Sequence, residues 1–594
     1  MLTGAIFLIL LSTLFHIVQP TFVGWTIQIV KAINTKTSEP IIIDSLIKIV
    51  IPYDKAWFAY WMVLLTMFCF TLLSFGFGIF GYFMSAKASL MSTYNLRNCV
   101  YAKILTYSFQ ELNVVTPASL ITRLTNDAQK VQQALQMTFS MLIQAPLTLI
   151  GTSSLIFTAS KNMTVNAYFG SISLGIMALI ILLTILIARI IVPIYGHAQR
   201  SIDETSSIIR ENVLGTRVVR SFNLQENQRG KMSFANTKLE KLSIQVEIWI
   251  ATITVVIEFV IYAGISIVYL LSGYLIDSGS FDLSMDLVYK ISTTMLMQLA
   301  SFIMFVIAIA TVIRSKPSAE RISSLMEITP SIINPKRPLK FNTKKYDIEF
   351  KNVSYKYAKD SQVEIIKNIN LKIKSGETIG IIGPTGSGKS TLVDLIPRLY
   401  DPTQGAIYIG GLNIKDINLH ELREYIGISL QDQILFSGDI AYNLRYGKND
   451  ATEEEMKKAC ELSCAWEFIS KYDKLFASPV EQRGRNFSGG QRQRVCLART
   501  LIRKPKILIL DDTTSALDAI TEKKVQKNID NYLPDSTKII VSQRVSSIMN
   551  ADRIIVLEQG KICGIGTHNQ LLRSNDVYKQ IAKLQLESLQ EAYD

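Results

Sequence analysis

The chain has 594 residues, 48% hydrophobic and only 19% charged, with a mean hydropathy of +0.25 and a formal net charge of +13. That length predicts at least two domains, and so apolar a composition excludes both intrinsic disorder and an ordinary soluble protein. The 31 Gly and 16 Pro exclude a collagen-like repeat, six scattered Cys exclude a disulfide scaffold, and the positive charge points to cytosolic loops beside an anionic leaflet rather than to nucleic acid.

Six long apolar stretches fill the first half, at 4–30, 57–83, 138–159, 166–189, 247–272 and 287–313. Each reaches the ~20 residues that a helix needs to cross hydrocarbon, and a spanning segment must satisfy its own backbone, so all six are predicted helices. The first has no charged leader and is too long for a signal peptide, so it reads as an uncleaved span. The connections 84–137 and 190–246 carry 5 and 8 Lys and Arg; the connections 31–56, 160–165 and 273–286 carry 4, 1 and 0. The two long connections therefore lie in the cytosol, with both ends of the bundle. They keep helical periodicity, which predicts that helices 2 to 5 continue well beyond the membrane. Inside the fifth stretch stands Glu258. A carboxylate at that depth faces a cavity or a partner: it suits a cationic amphiphile, a basic residue of a neighbouring chain, or a bound proton. Phe68, Phe70, Phe302 and Phe305 suit flat apolar ligands or lipid equally.

At about 316 the composition changes. Lys316-Pro317, then Pro330, Pro335 and Pro338 among basic residues, read as a linker over 316–346, between a transmembrane domain at 1–315 and a soluble α/β domain at 347–594. In the latter, short β-rich runs at 348–350, 378–382, 507–510, 538–541 and 553–557 alternate with helical segments. Cys460 and Cys464 lack partners at zinc spacing and read as core.

Gly383-Pro384-Thr385-Gly386-Ser387-Gly388-Lys389-Ser390 follows one of these runs and opens a helix at Thr391. This is a P-loop in its required context. The glycines let backbone amides wrap phosphates, Lys389 reaches the β/γ-phosphates of ATP, and Ser390 binds Mg²⁺. Ile507–Asp511 is an apolar run ending in the acid that holds Mg²⁺ through water. Asn486-Phe487-Ser488-Gly489-Gly490-Gln491 then opens a basic helix, and it decides the resemblance. With the P-loop about a hundred residues before it, it is similar to the signature of an ATP-binding cassette. Six spans followed by a cassette resemble an ABC exporter half-transporter of the multidrug and lipid type.

The resemblance covers essentially the whole chain. It implies a six-helix bundle with long intracellular helices followed by a P-loop α/β cassette, placed in the cytoplasmic membrane with the cassette in the cytosol. It implies ATP and Mg²⁺, no nucleic acid, and ATP-driven export of a hydrophobic or amphiphilic substrate, whether drug-like compound, lipid or peptide. Two cassettes close head to tail, so the signature Ser488–Gln491 meets the γ-phosphate in the partner's P-loop. Tyr357 matches the residue that stacks on adenine, Gln431 the glutamine that contacts metal and water, and Asp518 the D-loop. Segments around Asn113–Ser119 and Ile208–Leu214 match the coupling helices.

Three positions depart from the pattern. The family has Glu after the metal-holding Asp, and here stands Asp512. The switch histidine is replaced by Gln543, and none of His16, His197, His420 and His568 can take its post. Gln482 stands where Glu is usual. The family also begins with a basic cytosolic elbow, whereas Met1 stands almost at the first span. Two defects in one hydrolytic site beside an intact signature resemble the slow-site subunit of heterodimeric bacterial exporters. The alternatives are a homodimeric exporter and an ATP-gated channel or regulatory subunit, for which no regulatory insertion is visible.

Overall fold

The computed structural model describes residues 1–35, 41–43, 49–160, 162–278, 284–341, 345–357 and 363–590. Parts of the outer connections 31–56, 160–165 and 273–286 and of the expected linker lie outside the described residues. The chain divides into two compact units, residues 1–103 with 118–327, and residues 104–117 with 328–594.

The first unit is all helix apart from a small antiparallel pair, Ile41–Ile43 with Ile49–Ile51. All six apolar stretches form helices long enough to span a bilayer. The first is broken at Val18, between Leu2–Ile17 and Gln19–Thr35, where Pro20 has no N–H to give the carbonyl one turn before it. The helices Ala56–Leu105, Met163–Leu214 and Gln225–Asp277 have 50, 52 and 53 residues. At 1.5 Å per residue each is about 75–80 Å long. Hydrocarbon accounts for ~30 Å, so the expected intracellular extensions exist.

The third span is interrupted twice: by a π turn at Arg123–Asp127 and by a kink at Ser140. The sixth does not stop at 315. It passes through Pro317 and ends at Glu327, so the composition change at 316 marks no break in the helix. The extension is held from the side: Ser318 Oγ donates to Asp127 Oδ1 at 2.8 Å and Arg321 Nε to Asp127 Oδ2 at 2.9 Å. These contacts hold the turn after Pro317, whose ring removes one helical hydrogen bond.

The second expected coupling segment, Ile208–Leu214, is the last part of a long helix. Gly215 closes it, a short helix follows at Thr216–Ser221, and Asn223 turns the chain with φ +54°. Asparagine tolerates that left-handed backbone better than most residues.

In the second unit the central sheet has six strands in the order Lys561–Gly566, Arg553–Glu558, Thr378–Ile382, Thr537–Val541, Ile507–Asp511, Ile426–Ser429. The first pair is antiparallel and the rest parallel. Ile507–Asp511 is buried along its whole length, as a parallel strand covered on both faces must be. An antiparallel sheet, Ile366–Ile373, Ile348–Tyr355, Gln404–Ile409 and Leu412–Asn413, packs on one side around Ile348, Phe350 and Ile407. A helical lobe between 435 and 502 has its own core, which includes Cys460 and Cys496. Cys460 and Cys464 are both buried, and burial pushes the Cys460 thiol up to about 12, as core cysteines require.

Candidate ATP site and signature surface

Parallel strands bring their carboxyl ends to one edge, and that edge collects the motifs. Asp511 is level with Val541, and Val541 with Ile381. One step beyond these three residues lie Asp512, Ser542 and Ile382, and just past them Gln543 and the P-loop. Gln431 follows the neighbouring strand, which ends at Ser429.

The P-loop has the backbone that its glycines predict. A Cβ on Gly383 would fall 2.0 Å from the Leu557 carbonyl oxygen, and Gly388 has φ +96°. Lys389 Nζ folds onto the loop, donating to the carbonyls of Gly383 and Pro384 at 2.9 Å each. Its burial lowers its pKa, while Asp511 and Asp512 oppose the shift. Ser387 Oγ is buried with no hydrogen-bond partner among the described residues. A donor left unpaired inside a loop of free amides fits a phosphate oxygen. Ser390 Oγ donates to Asp511 Oδ1 at 3.2 Å. Among the described residues no three His, Cys, Asp or Glu cluster to hold a metal. Hydroxyl and carboxylate oxygens side by side still fit Mg²⁺, which keeps waters and takes phosphate oxygens rather than a full protein cage.

Asp511 and Asp512 both have raised pKa values, chiefly from burial. Asp512 also stands in left-handed backbone, φ +49°, with its N–H on the Val541 carbonyl at 2.9 Å. Gln543 is exposed, and its carbonyl accepts from Gln585 Nε2 at 2.7 Å. Tyr357 is 42% exposed; its hydroxyl is 2.9 Å from Thr391 Oγ1, and its ring lies edge-on to Tyr355 and Tyr400.

Ser488 caps the helix Gly489–Leu501: its Oγ accepts from Gln491 N at 3.2 Å, and Gln491 Oε1 accepts from Ser488 N at 2.9 Å. Ser488 and Gly489 are exposed, so a capped helix start with free amides faces outward. Gln493 ties this helix to the D-loop through Ser515 Oγ and Ala516 N. Asp518 caps the helix Ala519–Tyr532 by accepting from Thr521 N at 3.0 Å. Gln482 lies in an exposed turn before the signature.

Two features were not legible in the motifs. Residues 104–117 belong to the second unit, and their short helix Phe109–Val114 lies a few residues before the segment expected at 113–119. Phe109 meets the ring of Tyr400, and Glu111 Oε1 accepts from Ser331 N at 3.1 Å. Tyr400 thus touches both this helix and the Tyr357 ring. The second is Asp394, whose carboxyl is raised to about 7 by burial and then by Asp511. It follows the P-loop by four positions, and no family motif singles it out.

A family model described as the ABC transporter transmembrane region matches residues 2–299, and a second, described as ABC transporter, matches residues 366–515. The chain belongs to the ABC transporter family. A putative ABC transporter ATP-binding protein of Mycoplasma pneumoniae, the MG014 homolog, is 31% identical over 96% of this chain and 93% of its own. The uncharacterized ABC transporter ATP-binding protein YfiB of Bacillus subtilis is 33% identical over 88% and 89%. An ATP-dependent lipid A-core flippase of Syntrophus aciditrophicus is 30% identical over 83% and 80%. The fold is similar to that of a bacterial Atm1-family ABC exporter solved with ATP bound, with a TM-score of 0.81 at 20% identity, covering 98% and 97% of the two chains. This ABC transporter is a multi-pass membrane exporter whose ATP-binding domain lies in the cytosol and couples ATP hydrolysis to transport.

Within the spans, the phenylalanines divide. Phe302 is 4% exposed and belongs to the helix core, and Phe70 packs against Phe15 and Phe22, so neither is a free face for a ligand. Phe68 is 59% exposed.

Proposed function

We propose that this exporter is one half of a heterodimer and that its own ATP site is the slow one of the pair. Asp512 beside Gln543 carries the reading. Asp is one methylene shorter than Glu, which sets its carboxylate back by ~1 Å, and a misplacement of that size can cost roughly 10²-fold. Gln543 can donate a hydrogen bond but cannot carry charge or relay a proton. In this reading Tyr357 stacks on adenine. The backbone from Gly383 to Gly388, with Lys389 and Thr391, holds the phosphates. Ser390, Asp511 and Gln431 hold Mg²⁺, which neutralises phosphate charge when bound. The exposed Ser488–Gln491 completes the partner's faster site, with Asp518 beside it. The substrate is a hydrophobic or amphiphilic molecule, a class that the lipid A-core flippase among the relatives supports.

The test is the ATPase rate of the full chain in proteoliposomes, alone and with a second half-transporter that has the Glu and His missing here. The chain alone is expected to bind ATP and turn it over slowly, and the pair to turn it over fast. Fast, vanadate-sensitive hydrolysis by the chain alone would establish a homodimer instead.

A further inference from the structure

Glu258 lies near the middle of the apolar stretch 247–272. Apart from Glu247 at the end of that same stretch, it is the one carboxylate in the six stretches; their cations, Lys290 and Arg189, stand close to stretch ends. The side chain is exposed and has no ion pair among the described residues. At 100° per residue, Glu258, Tyr262, Ser266 and Tyr269 share an arc of about 80° on the helix Gln225–Asp277. Tyr262 and Tyr269 are 55% and 51% exposed. On one side of this stripe lies the packed face, with Ile257, Ile261 and Val268 buried; on the other, Phe259 and Leu270 are 71% and 75% exposed and suit lipid. The stripe, in which Val255 is also 62% exposed, borders the packed face on one side and the exposed apolar face on the other. A carboxylate at that depth is costly against hydrocarbon, so the stripe calls for a cavity or a polar occupant.

We propose that this stripe binds the cationic head of an amphiphilic substrate, with Glu258 as counter-ion and Tyr262 and Tyr269 as aromatic walls. One carboxylate beside two phenol rings is a poor site for Ca²⁺, which takes six to eight oxygens. A dispersed organic cation gains from both the charge and the ring faces. The proposal rests on the export of an amphiphile and narrows its class to cations.

The experiment uses the full chain in lipid nanodiscs and two probes of one shape and opposite charge, tetraphenylphosphonium and tetraphenylborate, measured by equilibrium dialysis. The cation is expected to bind the more tightly. Glu258→Gln should raise its Kd by about tenfold or more and leave ATP affinity unchanged, whereas Glu258→Asp should keep most of the affinity. Tyr262→Ala should weaken the cation and Tyr262→Phe should not, because the ring and not the hydroxyl makes the contact. Equal binding of the two probes, or a Kd unmoved by Glu258→Gln, overturns the proposal. So does loss of subunit association in Glu258→Gln on size exclusion, which would assign the carboxylate to a basic residue of a partner. If cation binding ignores Glu258 while a neutral or anionic amphiphile still stimulates ATP hydrolysis, export of amphiphiles stands and only the cationic class falls.

Discussion

At Asp512 the missing methylene and the backbone act together. The residue is in the left-handed region, which Asp tolerates better than longer side chains do, so the shorter acid relieves strain where it weakens reach. Asp512→Glu with Gln543→His is expected to raise hydrolysis at this site. Asp512→Glu alone should give less, because both groups act on one transition state and their effects need not add. The check is the ATPase rate with the partner's own catalytic Glu changed to Gln, with substrate flux measured in the same vesicles. No hydrolysis above background would place the defect in the partner's signature. Asp394 makes a second residue-scale case. Its folded pKa of about 7 lies above the ordinary carboxylate value, so the unfolded chain gives up this proton first. Stability is therefore fully present below about pH 4 and lost as the pH rises through 7. Asp394→Asn removes the titration. At pH 8 the variant should be more stable than wild type by about 1–3 kcal/mol, and at pH 4 the difference should vanish, as read by thermal unfolding of the full chain.

Among the elements, the third and sixth spans are the pair whose irregularities explain each other. The π turn at Arg123–Asp127 aims a 1%-exposed Asp127 at Ser318 and Arg321, and Arg123 Nη1 donates to the Arg321 carbonyl at 2.8 Å. Arg321 is 46% exposed, so losing Asp127 leaves a guanidinium that water can reach, and the lost charge-assisted hydrogen bonds cost about 1–3 kcal/mol. Asp127→Ala should lower the unfolding temperature accordingly, and Asp127→Leu with Arg321→Met should recover part of the loss. A double variant no better than the single would mean that the helices are held elsewhere. The helix Phe109–Val114 belongs to this scale as well. Its contact with Tyr400 puts one aromatic ring between an intracellular helix and the residue assigned to adenine.

For the whole molecule, the proposed asymmetry between the two sites sets the expectations. Lys389→Ala should reduce turnover of the pair less than the equivalent change in the partner, because the slow site contributes mainly binding energy for closure. Ser488→Arg should nearly abolish it, because the exposed signature completes the fast site and a guanidinium would occupy the phosphate position. Equal losses from the two lysine changes, measured as ATPase rate in proteoliposomes, would argue for two equivalent sites. The packing fits this division of labour: Gln493 and Arg544 both bind the D-loop, through Ser515, Ala516 and Leu517, so the signature helix and the segment after Gln543 share one support.

The sequence by itself determined the six spans, the P-loop, the strand that ends in Asp511 and the signature motif, because each is carried by neighbours along the chain. Twenty apolar residues span a bilayer wherever they occur, and a Gly-rich turn between strand and helix makes its phosphate cradle from its own backbone. The same locality made Cys460 and Cys464 legible as core. What depended on distant partners was decided only by the tertiary structure. Pro317 reads as a helix stop until Asp127 is found holding the next turns, and short helices stand at 109–114 and 216–221, beside the segments expected to couple. Phe302 reads as a ligand surface until the helices close around it. Asp394 belongs to no motif, and only burial and Asp511, 117 positions away, raise its pKa to about 7. In each case the deciding energy is burial or a charge pair between residues far apart in sequence, which no local pattern encodes.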